Sequence, residues 1–247
     1  MTRALIVGLG LIGGSAGMAL RRRGWRVAYL DPHVSLEEAQ RAGAADERVE
    51  TIGDTDVVLI ATPVDVAIDL LRALDTNAVV TSTCSVMRAL RDVAKGTFIA
   101  GHPLAGSHES GLSAARADLF EGKPWFVEGE HAIVDALVRE CGANLEYVDA
   151  DEHDAAVALT SHLPQILSTA LAAYLDERED ILRFAGGGLR TFLRLAGSDA
   201  HVWQPVLEAN RDQLAPHADA IAELVRQLID GKTPEAFERA QHFWRKL

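Results

Sequence analysis

Two sets of residues in this 247-residue chain have the types and spacing for chemistry. Gly8, Gly10 and Gly13 follow the apolar run Ala4-Leu5-Ile6-Val7 and precede a helical pattern through Met18 to Arg23. His102 sits between a glycine and a proline in Gly101-His102-Pro103-Leu104-Ala105-Gly106. A G-x-G-x-x-G turn between strand and helix lets the backbone approach a pyrophosphate at the positive end of the helix. Alone it is a weak signal, and a glycine-rich turn without a ligand is its plain alternative. Here a second apolar strand, Trp25 to Leu30, ends at Asp31, close to the spacing of about 20 residues expected of a ribose-binding carboxylate. Such a carboxylate accepts from both ribose hydroxyls and repels a 2′-phosphate, so NAD is expected over NADP. Arg21, Arg22 and Arg23 read as the solvated end of the first helix, where cations suit the dipole. His102 offers a neutral imidazole, with an ordinary pKa near 6.5, able to accept a proton at physiological pH. Its alternative is a loop histidine held by backbone bonds.

The elements that must position these groups alternate in type. Asp56 to Ala61, Ala78 to Thr81 and Thr97 to Ala100 read as parallel strands, with helices near Val64 to Leu74 and Val86 to Ala94. Trp125 to Glu128, His131 to Cys141 and Asn144 to Val148 read as strand, helix and strand. This is the α/β pattern of an N-terminal Rossmann-like doubly wound sheet, and it puts His102 in a loop at the carboxyl edge, where a nicotinamide would lie. From Asp151 the pattern becomes apolar-periodic over roughly Glu152 to Leu175, Leu189 to Ala196, His201 to Leu228 and Pro234 to Lys246, predicting an all-α C-terminal domain. The expected division is residues 1–150 for NAD binding and 151–247 for substrate binding and dimerisation. A self-contained helical bundle is the alternative to a dimer.

Composition narrows the class. Hydrophobic content of 48% and charged content of 24% are ordinary for a globular protein. A net charge of −12 argues against nucleic acid or an anionic membrane as partner. The first residues begin a βα unit and lack a cleavage-site pattern, and no apolar run reads as long enough to span a bilayer, so a cytoplasmic location is expected. Cys84 and Cys141 lie far apart, supporting neither a disulfide framework nor a zinc site.

The chain resembles the prephenate and arogenate dehydrogenases of tyrosine biosynthesis, from Leu5 to about Leu214. The matching pieces are Val7-Gly8-Leu9-Gly10-Leu11-Ile12-Gly13-Gly14-Ser15, Ala61-Thr62-Pro63-Val64, and Gly101-His102-Pro103-Leu104-Ala105-Gly106 with Glu109-Ser110-Gly111. They continue with His153-Asp154, Ser161-His162-Leu163-Pro164, Gly186-Gly187-Gly188-Leu189-Arg190 and Phe192-Leu193-Arg194-Leu195-Ala196-Gly197-Ser198-Asp199. The first motif occurs in many dehydrogenases; its combination with G-H-P-x-A-G, S-H-L-P and the late arginine segment is specific. The resemblance implies a small-molecule substrate, a cyclohexadienol with a hydroxyl at ring C4 and a carboxylate at C1. Oxidation at C4 sends hydride to NAD, and loss of the carboxylate makes the ring aromatic.

Roles follow by resemblance. His102 takes the C4 hydroxyl proton. Ser85 bonds the same hydroxyl or orients His102, or alternatively caps a helix beginning at Val86; Ser82 and Met87 stand where the family commonly has aspartate and lysine. Arg194 holds the ring carboxylate through paired hydrogen bonds, and Arg190, four residues earlier, is a second candidate. Gly8, Gly10, Leu11, Ile12, Gly13, Asp31, Thr62 and Pro63 hold the cofactor. His162 faces the substrate, while His153 has a structural or nearby polar role. Gln165 replaces a histidine that prephenate-using members carry in S-H-L-P-H. Its amide oxygen can accept from an ammonium group, which tilts the expected substrate toward arogenate or dual use.

No metal is expected. His153 and His162, nine residues apart, point to nearly opposite faces of a regular helix, with Pro164 able to bend it, and His108-Glu109 lacks ligand spacing. Two other classes share the glycines and Asp31: a hydroxyacid-type or imine-reducing dehydrogenase, and a non-catalytic NAD-binding regulator. The former often carries a lysine on the first helix of the second domain, and none lies between Asp149 and Leu189. The latter needs neither His102 nor Arg194. The resemblance also favours a homodimer.

Overall fold

The computed structural model describes residues 1–106, 109–231 and 234–246. Strands β1 (Arg3–Val7), β2 (Arg26–Leu30), β3 (Glu47–Arg48), β4 (Val57–Ile60), β5 (Val79–Ser82) and β6 (Phe98–Ile99) form a sheet in the order β3-β2-β1-β4-β5-β6. Every adjacent pair is parallel. This is the doubly wound order, with its switch point between β1 and β4. Helices α1 (Leu11–Arg22), α2 (Leu36–Ala42), α3 (Val64–Ala73) and α4 (Arg88–Arg91) lie between the strands along the chain. Of these, α2 has its own start signal, a capping box between Ser35 and Glu38.

β4 is apolar throughout, and β1 from Ala4 on, because both sheet faces are covered. Ala4, Ile6, Val57 and Leu59 enter one buried core with Leu20 of α1. Leu5, Val7, Val58 and Ile60, one residue out of phase, enter a second with Ala67 and Leu71 of α3.

The last strands do not extend this sheet. β7 (Gly101–Pro103), β8 (Pro124–Val127) and β9 (Asn144–Tyr147), with α5 (Ala132–Glu140) between the last two, form a separate sheet. β7 and β8 are antiparallel, β8 and β9 parallel. His102, expected in a loop, is therefore the middle residue of β7, opposite Phe126. β7 lies against the carboxyl end of β5, where the Gly101 N–H donates to Ser82 Oγ at 3.3 Å.

The helical half follows. α6 (Ala150–Val157), a π-helical turn (Ala158–His162) and α7 (Leu163–Asp176) make one 27-residue helix. This corrects the expectation that no segment is long and apolar enough to span a bilayer: by length and composition this helix is. It nonetheless carries buried Asp154, His153, His162 and Gln165, all hydrogen-bonded inside the fold. The segment expected as one helix over Leu189 to Ala196 is α8 (Gly187–Phe192) followed by a 3₁₀ turn (Leu193–Gly197). The helix expected over His201 to Leu228 breaks at Asn210 into α9 (Ala200–Ala209) and α10 (Arg211–Ile229), and α11 (Pro234–Trp244) ends the described chain. Val206 of α9 joins the second core, so the helical half rests directly on one face of the sheet.

Candidate active site

The glycine turn has the shape of a pyrophosphate cradle. A Cβ at Gly13 would lie 2.0 Å from the Gly8 carbonyl oxygen, so α1 packs too closely for any side chain. A Cβ at Gly10 would meet nothing within 4 Å, and no side chain caps the first turn of α1. Leu11 and Ile12 open that helix, leaving its N–H groups available to an anion. Asp31 follows β2 and accepts from the Leu9 N–H through Oδ2 and the His33 N–H through Oδ1, each at 2.8 Å. The turn and the carboxylate are thereby tied together, and the carboxylate keeps lone pairs for ribose hydroxyls. Thr62 and Pro63 follow β4 across the switch point, with Pro63 capping α3. These residues fit a dinucleotide.

Further along the carboxyl edge lies a buried polar chain. His102 Nδ1 is 2.9 Å from His153 Nε2, and His153 Nδ1 is 2.8 Å from Asp154 Oδ1. Asp154 is fully buried, yet accepts the Met87 N–H at 2.8 Å and the Arg88 N–H at 3.0 Å, with the Arg88 guanidinium 3.6 Å away. The carboxylate only accepts, so His153 carries its proton on Nδ1 and offers Nε2 as acceptor; His102 donates from Nδ1 and keeps its lone pair on Nε2. His102 is 8% exposed.

Burial moves His102 and His162 away from the ordinary imidazole range. His102 is held down to about 3, first by desolvation, then by its histidine neighbours His153 and His162, with Asp154 pulling the other way. His162 is lowered to about 4, again chiefly by burial, against the pull of Asp154. The unperturbed value expected from sequence does not hold. His102 is neutral across the physiological range, but alone it is a weak proton acceptor.

The π turn changes the geometry of the second histidine. About two and a half regular helical turns would set His153 and His162 on opposite faces; the wider turn rotates His162 inward, and both are buried. Asn210, at the break between α9 and α10, joins them: its Nδ2 donates to the Asp154 carbonyl at 2.8 Å and to His162 Nδ1 at 3.2 Å. His162 therefore carries its proton on Nε2. The Ser85 backbone is close enough to favour that proton, but among the described residues Nε2 has no partner within hydrogen-bond geometry. Among the described residues, no cluster of three or more histidine, cysteine or acidic side chains is arranged for a metal; His108 lies outside them.

Other expected residues are placed differently. Ser85 does not cap α4, which begins at Arg88; the carboxylate of Asp154 meets the N–H groups at that helix start. Nor does its hydroxyl hold His102, whose Nδ1 belongs to His153. Gln165 is buried and donates through Nε2 to the Leu195 carbonyl at 2.9 Å and to Thr169 at 3.1 Å, while Ser198 donates to its Oε1 at a long 3.4 Å. Ser168 donates to the Phe192 carbonyl at 2.9 Å. These bonds hold the arginine-bearing segment against α7. Arg190 and Arg194 are exposed and make no ion pair with any described residue. Asp154, Asn210 and Ser168 carry much of the site without having been singled out for roles. An asparagine inside a long apolar-periodic segment is a local signal for a helix end, and Asn210 is one.

Two family models together match most of the chain. The one described as the nucleotide-binding domain of prephenate dehydrogenase matches residues 16–146, and its dimerization domain matches residues 149–239. A probable prephenate dehydrogenase of Streptomyces niveus is 34% identical over 94% of this chain and 71% of its own length. A solved prephenate dehydrogenase of A. aeolicus, in complex with hydroxyphenyl propionate and NAD+, superposes with a TM-score of 0.84 at 27% identity, covering 100% of this chain and 97% of that one. A Synechocystis arogenate dehydrogenase gives a TM-score of 0.75 at 26% identity over 98% of this chain and 97% of that one.

Proposed function

The chain belongs to the prephenate dehydrogenase family and is an NAD-dependent dehydrogenase, and from that premise we propose that His102 is the base in its oxidative decarboxylation of prephenate or arogenate. The observation that carries this is the orientation of His102, whose Nδ1 is committed to His153 at 2.9 Å, leaving the Nε2 lone pair for a substrate hydroxyl. When bound, NAD supplies the hydride acceptor. The turn Gly8 to Gly13 would hold its pyrophosphate, Asp31 its adenosine ribose, and Thr62 and Pro63 the far side of the crevice.

The remaining roles rest on charge and unused bonding capacity. Arg194 is the cation for the ring carboxylate, since its guanidinium has no competing ion pair among the described residues and keeps its charge at any working pH. Arg190 supports it one helical turn earlier. His162 donates through Nε2–H to the substrate, and the Ser85 hydroxyl contacts the C4 oxygen beside His102. Gln165 Oε1, engaged among the described residues only by the long bond from Ser198, is the acceptor that an ammonium would take. This favours arogenate or dual use. Residues 1–150 and 151–247 act as cofactor and substrate units, and two copies of the helical half form a homodimer, a reading supported by the match to a dimerization domain. Light scattering at twice the 26.6 kDa chain mass would check that. The acidic charge and two unpaired, buried cysteines favour the cytoplasm.

Steady-state kinetics with prephenate and arogenate, each with NAD and NADP, test the reading. NAD reduction is expected with at least one substrate, and NAD is expected to be preferred. No reduction with either substrate, despite NAD binding, would overturn the function; equal efficiency with NADP would remove Asp31 from cofactor recognition.

A further inference from the structure

Building on the reading of His102 as the base, we propose that His153 and Asp154 are positioning residues that form a proton relay, storing the substrate hydroxyl proton and returning it to the same oxygen. The bonds are in place: 2.9 Å from His102 to His153 and 2.8 Å from His153 to Asp154, with both inner groups almost wholly buried. One ring nitrogen of each histidine donates and the other accepts, so a proton entering at His102 Nε2 releases the one on His102 Nδ1 to His153 Nε2. The charge then rests on an imidazolium beside a carboxylate.

The balance of the reaction calls for storage rather than release. As the C4 oxygen gives up its proton, the C4–H electron pair leaves as hydride to the bound acceptor and a carbonyl forms. The bond from C1 to its carboxylate then breaks. Carbon dioxide departs, the bonding pair enters the ring, and electron density returns to the C4 oxygen. That oxygen takes a proton from His102 Nε2 while His153 returns its own to His102 Nδ1. Overall, substrate and NAD give phenol, carbon dioxide and NADH with no proton left over.

The surroundings suit this task. His153 is faced by His102 from β7, His162 from the π turn, Asp154 beside it, Arg88 from α4 behind that carboxylate, and the Phe126 ring at 5.9 Å. Burial that holds His102 near 3 makes it a poor resting place for a proton, whereas a charge passed to His153 lies 2.8 Å from the Asp154 carboxylate. Arg88 is itself anchored to Asp212 of α10 at 2.7 Å, which fixes the relay between the two halves of the chain.

His153→Gln separates relay from structure, because glutamine can accept from His102 Nδ1 and hold its orientation but cannot carry the proton. Turnover is expected to fall by roughly 10–10³-fold, KM to change little, and the inflection on the acid side of the kcat/KM profile that belongs to the relay to vanish. An unchanged turnover, or a loss of turnover with that inflection intact, would overturn the relay. If the variant does not fold, ¹⁵N-histidine NMR of the wild-type protein decides: the proposal requires protons on Nδ1 of both His102 and His153, and a proton on His153 Nε2 would refute it. A His102 variant with full activity would instead refute the base reading on which the relay rests.

Discussion

His102→Asn should lower turnover by about 10²–10⁴-fold, the usual contribution of a positioned acid–base group, and leave KM within a few-fold. Asparagine keeps a polar group on β7 within reach of His153 Nε2, so the pocket is not emptied; what disappears is the lone pair that takes the C4 proton. The reaction still gains from approximating substrate and cofactor, so residual activity is expected. Lost binding alone would raise KM and spare kcat, which makes the split diagnostic. Turnover equal to that of the wild type would remove His102 from the base role.

Arg194→Ala should have the opposite signature, a rise in KM of roughly 10–150-fold, equivalent to about 1.5–3 kcal/mol for a hydrogen bond to a charged group. The protein carries a net charge of −12, so an anionic substrate is repelled at long range and depends on local cations. Arg194 has no ion pair with any described residue. It is carried on a 3₁₀ turn whose carbonyl at Leu195 is held by Gln165 and whose neighbour Phe192 is held by Ser168. The binding segment is thus ordered before the carboxylate arrives, and kcat should change less than KM. An unaltered KM would count against carboxylate binding.

Much of this arrangement is legible in the chain because it is local. The apolar run of β1, the glycine spacing and Asp31 after β2 announce a dinucleotide turn, and the structure builds a cradle there with Gly10 open and Gly13 crowded. The alternation of strands and helices also gives the parallel sheet. What periodicity does not reveal is geometry set by distant partners. His102 looks like a loop residue because nothing nearby says that Gly101–Pro103 pairs with Trp125 to Val127. The π turn is invisible to a count at a fixed helical angle, and it turns His153 and His162 from opposite faces to one interior. Ser85 has the chemistry of a helix cap, yet Asp154, more than sixty residues along the chain, takes that place.

The base role of His102 depends most directly on where a bound ring hydroxyl lies. A crystal structure of the protein with NAD and the hydroxyphenyl product should place that hydroxyl within about 2.6–3.2 Å of His102 Nε2, with His102 Nδ1 still on His153. A hydroxyl bonded to another group, with His102 Nε2 out of hydrogen-bond reach, would contradict the account.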